Sequence, residues 1–257
     1  MAKSTKKSTS KALVKWDEEF ANLAKETTKG IEVGTGKFLS FNGGTMSFAG
    51  ADIPDDEIRC VIVGWTHHNV YYDPDVRYDP KNPQTPLCYA FDVDQDQIAP
   101  LDSVPEKQCD NCAECPLNEF GSAKSGDGKA CKNTYRIALI AESDLEDIDN
   151  AEVVYASIPP KSLKNFANYL GKDLDKLKRP HWSVITLLSR VPDSESQFKV
   201  TFKYEESIED TDLFVPLKEL WERTKDDINF PYVVREKSAP VKKAAAKKNQ
   251  KFAGKRK

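Results

Sequence analysis

The sequence predicts an α+β domain: an antiparallel β core, with an OB-like barrel as one architecture that fits, two or three helices and an inserted four-cysteine loop. Three observations carry that expectation. Short runs rich in β-branched and aromatic residues recur from Ile31 to Tyr204. Only a few segments show the three-and-four spacing of an amphipathic helix. Finally, the stretch from Cys109 to Cys131, C-D-N-C-A-E-C-P-L-N-E-F-G-S-A-K-S-G-D-G-K-A-C, runs almost directly into the strand-like T-Y-R-I-A-L-I-A of 134–141.

In chain order, residues 1–11 form a basic arm expected to be disordered. A helix over 12–28 aligns Leu13, Trp16, Phe20 and Leu23 on one face. The runs 37–41 and 45–49 flank Asn42-Gly43-Gly44 and predict a hairpin. Residues 58–73 give the strongest strand signal, with a break expected near Thr66–Asn69. A proline-punctuated loop over 74–86 leads through Cys88-Tyr89-Ala90 to the cysteines. After the strand at 134–141 comes another at 151–158. A helix then spans 162–170, with Ser162 as N-cap and Leu163, Phe166, Tyr169 and Leu170 inward. The segments 182–189 and 197–204 read as a hairpin, and a last helix covers roughly 216–228. The domain division is therefore an arm at 1–11, one domain at 12–234 with its metal loop at 109–131, and a Lys-rich tail at 235–257.

Charge is distributed unevenly. The net charge is −3, yet residues 1–15 carry five lysines and no acid, and residues 235–257 carry ten basic residues against Glu236 alone. Removing those +5 and +9 contributions from −3 leaves −17 on residues 16–234. Basic ends attract nucleic acid, so any groove on the acidic body must be locally basic. No apolar run reaches the ~20 residues of a membrane span, and no hydrophobic core follows the N-terminal lysines. The expectation is a cytoplasmic protein with no membrane partner, in which clustered cysteines serve a metal and not disulfides.

The spacing C-x2-C-x2-C-x15-C places Cys109, Cys112, Cys115 and Cys131 within reach of one tetrahedral ion, and Gly121, Gly126 and Gly128 let the chain bend around it. Zinc is favoured over an iron–sulfur cluster, because the remote Cys131 is followed by Lys132 while Pro116 follows the third cysteine. Four thiolates leave no open position, so the Zn2+ is expected to be structural. Lys124, Lys129 and Lys132 either offset the −2 charge of such a site or, with Arg136, face phosphates. Cys60 and Cys88 read as small core hydrophobes. His67-His68 makes a poor metal pair, since neighbours in a strand point to opposite faces.

Trp65, Tyr71, Tyr72 and Tyr78 form an aromatic cluster that serves either as core or as a stacking platform for bases. Phosphate-loop, H-E-x-x-H and G-x-S-x-G patterns are all missing from the sequence, and no enzyme activity is expected.

Along C-x2-C-x2-C-P-x-N-x-F-G-S-A…G-K-A-C-K-N-x-x-R the chain resembles a family of small bacteriophage proteins regarded as single-stranded-DNA-binding accessories of replication and recombination. The resemblance runs from about Ile31 to Leu220. It takes in Tyr71-Tyr72, Tyr78-Asp79-Pro80, Pro86-x-Cys88, Pro105-x-x-Gln108 and Ser162-Leu163. It implies that Cys109, Cys112, Cys115 and Cys131 are zinc ligands and that the protein works in the cytoplasm of an infected bacterium. Phe120 occupies the aromatic position before Gly-Ser. The end of the chain departs from the pattern, being basic where phage single-strand-binding proteins often carry an acidic tail. The expected function is non-enzymatic single-stranded-DNA binding through Trp65, Tyr71, Tyr72, Phe120, Lys124, Lys129, Lys132 and Arg136. The alternative is a zinc-stabilised interaction module whose acidic body modulates a host or phage replication, recombination or transcription protein.

Overall fold

The computed structural model describes residues 38–41, 44–77 and 84–232. The helix expected at 12–28, the basic arm, Tyr78 and the tail lie outside these residues. Nine strands form one sheet: β1 (Phe38–Ser40), β2 (Ser47–Phe48), β3 (Ala51–Asp52), β4 (Glu57–Tyr71), β5 (Cys88–Asp92), β6 (Lys132–Ala141), β7 (Val154–Ile158), β8 (Val184–Asp193) and β9 (Gln197–Ser207). Their order is β3-β2-β1-β7-β6-β4-β8-β9, with β5 added to β4. All pairs are antiparallel except β1 with β7. The expected α+β class holds, with the sheet curled into a half-barrel.

β4 is the axis of the fold. It is a single strand of 15 residues, not two. The polar run Thr66–Asn69, which suggested a break, stays in the ladder because β6 pairs with it from Cys60 to Val70. The irregularity falls earlier, as a bulge between Ile62 and Gly64. On the other edge, β8 pairs with Glu57–Cys60 and β5 with His67–Tyr71, so the two ends of β4 serve different neighbours.

Alternation along β4 sends Cys60, Ile62 and Trp65 to one face and Val61 and Val63 to the other. Helix α1 (Leu163–Asn168) covers the first face with Phe166, then continues through a π-helical stretch, Tyr169–Leu174, and a last turn, Asp175–Leu177. Ser162 precedes α1 but does not cap it. Its hydroxyl instead accepts the Val200 N–H at 2.9 Å, tying the helix start to β9. Helix α2 (Phe214–Asp227) covers the second face with Leu217 and Leu220, three residues apart as a helical stripe requires. Each face buries its own apolar cluster, which is the main source of stability in a two-layered domain.

Candidate thiol site and nucleic-acid cleft

The thiol site is built at the far end of β4. Cys88, the first residue of β5, pairs with Tyr71, and Lys132 at the start of β6 pairs with Val70, so Cys131 stands beside the same strand end. The connection between β5 and β6 supplies the other thiols. It is pinned by Cys112 N–H donating to Ile98 O (3.0 Å), Asn118 N–H to Cys115 O (2.9 Å), the Asn118 side-chain amide to Cys112 O (2.8 Å) and Cys131 N–H to Leu117 O (2.8 Å). Gly121 and Gly126 take the left-handed backbone (φ 86° and 74°) that the turn demands.

Cys109, Cys112, Cys115 and Cys131 all line one cavity of about 10 Å³, beside Asn69, Tyr71 and Asn118. Cys88 lines it too. It is buried, as the sequence predicts for it and for Cys60, and its register opposite Tyr71 also places it among the thiols.

Burial and the charge of neighbouring thiols push Cys131 up to about 12, its neighbours being Cys112, Cys115 and Cys88. Cys109 is also raised, by burial and by its hydrogen bond to Cys115. N–H donors approach three of the sulfurs: Gln108 backbone to Cys88, the Asn69 side chain to Cys112 and Val70 backbone to Cys131. Such donors commonly surround metal-bound thiolates. Among the described residues no group of three or more His, Cys, Asp or Glu side chains is arranged to hold a metal ion. The thiols thus share the walls of one cavity without forming a finished coordination shell, and the all-thiol donor set suits zinc.

The expected nucleic-acid residues separate into distinct groups. Arg136 is not a surface cation. It is 1% exposed, its guanidinium lies 4.1 Å from the Phe91 ring centre and 4.2 Å from that of Phe230, and it donates to Ile228 O and Phe230 O at 3.0 Å. The alternation of β6 turns it inward, and two carbonyls with aromatic faces replace a carboxylate partner. Trp65 is half-buried, packed edge-on against Tyr135 and Phe166 at the margin of the α1 cluster. Tyr71 lines the thiol cavity. Lys124 is ion-paired with Asp75. Lys129 lies 5.2 Å from the centre of the Phe120 ring, which is 82% exposed at the tip of the loop, and also donates to Asn118 Oδ1. The Lys132 ammonium donates to Lys129 O at 2.8 Å. His68 is buried between Thr134 and the Tyr232 hydroxyl, while His67 faces the other side beside Trp65.

Lys132 and Tyr72 meet across an open cleft of about 440 Å³, shared with Phe38, Phe198, Thr134 and Tyr232. Here a cation and exposed aromatic surface do share one groove. Phe38, Phe198 and Tyr232 were not singled out in the sequence, because each comes from a separate, locally unremarkable run. The pairing of β1 with β7 places Phe38, the return of the chain after α2 places Tyr232, and the curl of the sheet brings Phe198 of β9 round to Phe41 beside β1. Compared with known proteins, the chain matches no family model, no curated protein and no solved structure.

Proposed function

We propose that this chain is a non-enzymatic single-stranded-DNA-binding protein, stapled by structural zinc, of the kind that serves phage replication and recombination. The cleft carries the reading. Lys132 offers a phosphate contact beside the rings of Phe38, Tyr72, Phe198 and Tyr232, and aromatic stacking contributes ~1–3 kcal/mol per base without sequence preference.

The ends of the described chain lead to the same place. Phe38 and Tyr232, the first and last described residues, both line the cleft. A zinc ion at the thiol cavity would fix the segment that carries Lys132, which directly follows Cys131. The curled sheet fits an OB-like role, although its nine strands and the parallel β1–β7 pair go beyond a five-stranded barrel. A protein-contact reading has one observation in its favour, the exposed Phe120 at the loop tip.

The test is fluorescence anisotropy with a labelled strand of ~30 nucleotides, long enough for several OB-sized sites. Full-length protein, a 235–257 deletion and the variants Lys132→Glu and Tyr72→Ala would be titrated at two salt concentrations with duplex as competitor. Single strands should win over duplex, both point variants should weaken binding, and the deletion should lower affinity and flatten the salt slope. Binding that ignores Lys132 and Tyr72, or favours duplex, sinks the proposal.

A further inference from the structure

We propose that the metal-binding quartet of the thiol cavity is Cys88, Cys112, Cys115 and Cys131, with Cys109 outside it at the cavity mouth. This rests on the reading that the cavity holds zinc, and changes which residues hold it. Of the five thiols on the cavity wall, these four belong to buried residues, whereas Cys109 is only partly buried.

Their placement in the fold gives the same answer. Cys88, on β5, and Cys131, immediately before β6, sit beside the last residues of β4 on the two sides of that strand. Residues in register across neighbouring strands point to the same side of the sheet, so both thiols face the loop that delivers Cys112 and Cys115. Those two form the ordinary C-x2-C pair of a zinc knuckle. Seen from Cys131, the neighbouring thiols are Cys112, Cys115 and Cys88, while Cys109, hydrogen-bonded to Cys115 and also near Cys112 and Cys88, stands on the side away from Cys131.

The consequence for the fold is considerable. With Cys109 as the fourth ligand, the ion would staple the loop to itself and to β6. With Cys88, it joins β5, β6 and the loop, three segments from both sides of the central strand. The thiol of Cys109 is then left for solvent.

The experiment measures zinc per chain by elemental analysis in desalted full-length wild type, Cys88→Ser and Cys109→Ser, with circular dichroism as a check on folding. A second arm treats zinc-loaded wild type with iodoacetamide, before and after chelation, and locates the modified cysteines by peptide mass spectrometry. Cys109→Ser should keep about one zinc per chain, as a four-thiol site does, and Cys88→Ser should lose it. In zinc-loaded wild type Cys109 should be alkylated, while Cys88, Cys112, Cys115 and Cys131 react only after chelation. If Cys109→Ser loses zinc while Cys88→Ser keeps it, or if zinc protects Cys109 from alkylation, the quartet is wrong although the zinc reading stands. Retention by both variants also overturns the quartet. A wild type that binds no zinc overturns both. Because the alkylation arm uses unmutated protein, a Cys88→Ser chain that fails to fold leaves the question decidable.

Discussion

The two halves of β4 are built on different principles. In its first half the strand is an apolar partition from Cys60 to Val63: Cys60, Val61, Ile62 and Val63 have no solvent exposure and are shared between the α1 and α2 clusters. From Gly64 to Tyr71 the buried residues are largely polar, and each has a named partner. Thr66 donates to His67 O at 3.3 Å, His68 lies between Thr134 and Tyr232, and Asn69 accepts from Asn133 at 2.6 Å. Arg136, on the adjacent strand, is in register with Thr66. Volume rules the first half, where any well-fitting hydrophobe serves. Direction rules the second, where an unpaired group leaves its full desolvation cost behind. The thiol cavity and the cleft both grow from the second half.

Arg136→Ala attacks that contrast most directly. It leaves the Ile228 and Phe230 carbonyls unpaired and a void between two rings, and should cost about 3–5 kcal/mol. Ile62→Val, in the apolar half, should cost only about 0.5–1.5 kcal/mol. Urea unfolding of both variants makes the comparison; equal losses would show that the two halves are not different in kind. Arg136→Lys should not rescue, because an ammonium cannot stack flat between rings.

The junction is probed at Gly64, where an added Cβ would lie 2.7 Å from Thr224 Cγ2 on α2. Gly64→Ala should cost about 1–3 kcal/mol by overpacking. Thr224→Ser, which deletes that methyl and keeps the hydroxyl donating to Leu220 O, should recover part of the loss in the double variant. Simple additivity of the two changes would argue against this contact.

The polar half also makes stability depend on pH. Burial first, then the charge of Arg136, hold His68 well below the ordinary 6.5, and burial with Lys225 pushes His181 down to about 4. Below pH 6.5 the unfolded chain takes up these protons before the folded one, so stability present at neutral pH drains away as pH falls. The slope is about 1.4 kcal/mol per pH unit for each such histidine. His68→Gln should flatten the decline in urea midpoints between pH 7 and 5. An unchanged slope would mean that His68 is not held neutral by the polar half.

Much of the fold was legible from periodicity. The 134–141 and 151–158 strands, the 182–204 hairpin, and the inward Phe166, Tyr169, Leu217 and Leu220 occur as the spacing predicted. Local pattern failed where tertiary pairing decided. Thr66–Asn69 looked like a strand break because polar residues seldom sit in a buried ladder, yet β5 and β6 satisfy them from both edges. Arg136 looked like a surface cation because nothing in T-Y-R-I-A marks its neighbours, which arrive from β5 and from the chain beyond α2. The cysteine motif located the thiol loop correctly. It could not reveal Cys88, whose membership depends on strand register.

The carbonyls that receive Arg136 belong to residues 228 and 230, and Phe230 also meets the Phe38 ring at 5.9 Å. Strand β1 and the central cation are therefore both held by the segment beyond α2. Without that segment Arg136 would lose both carbonyl acceptors and the Phe230 face, keeping the Phe91 ring. A chain stopped short of residue 228 would keep all nine strands and both helices and still lack the piece that covers the central arginine.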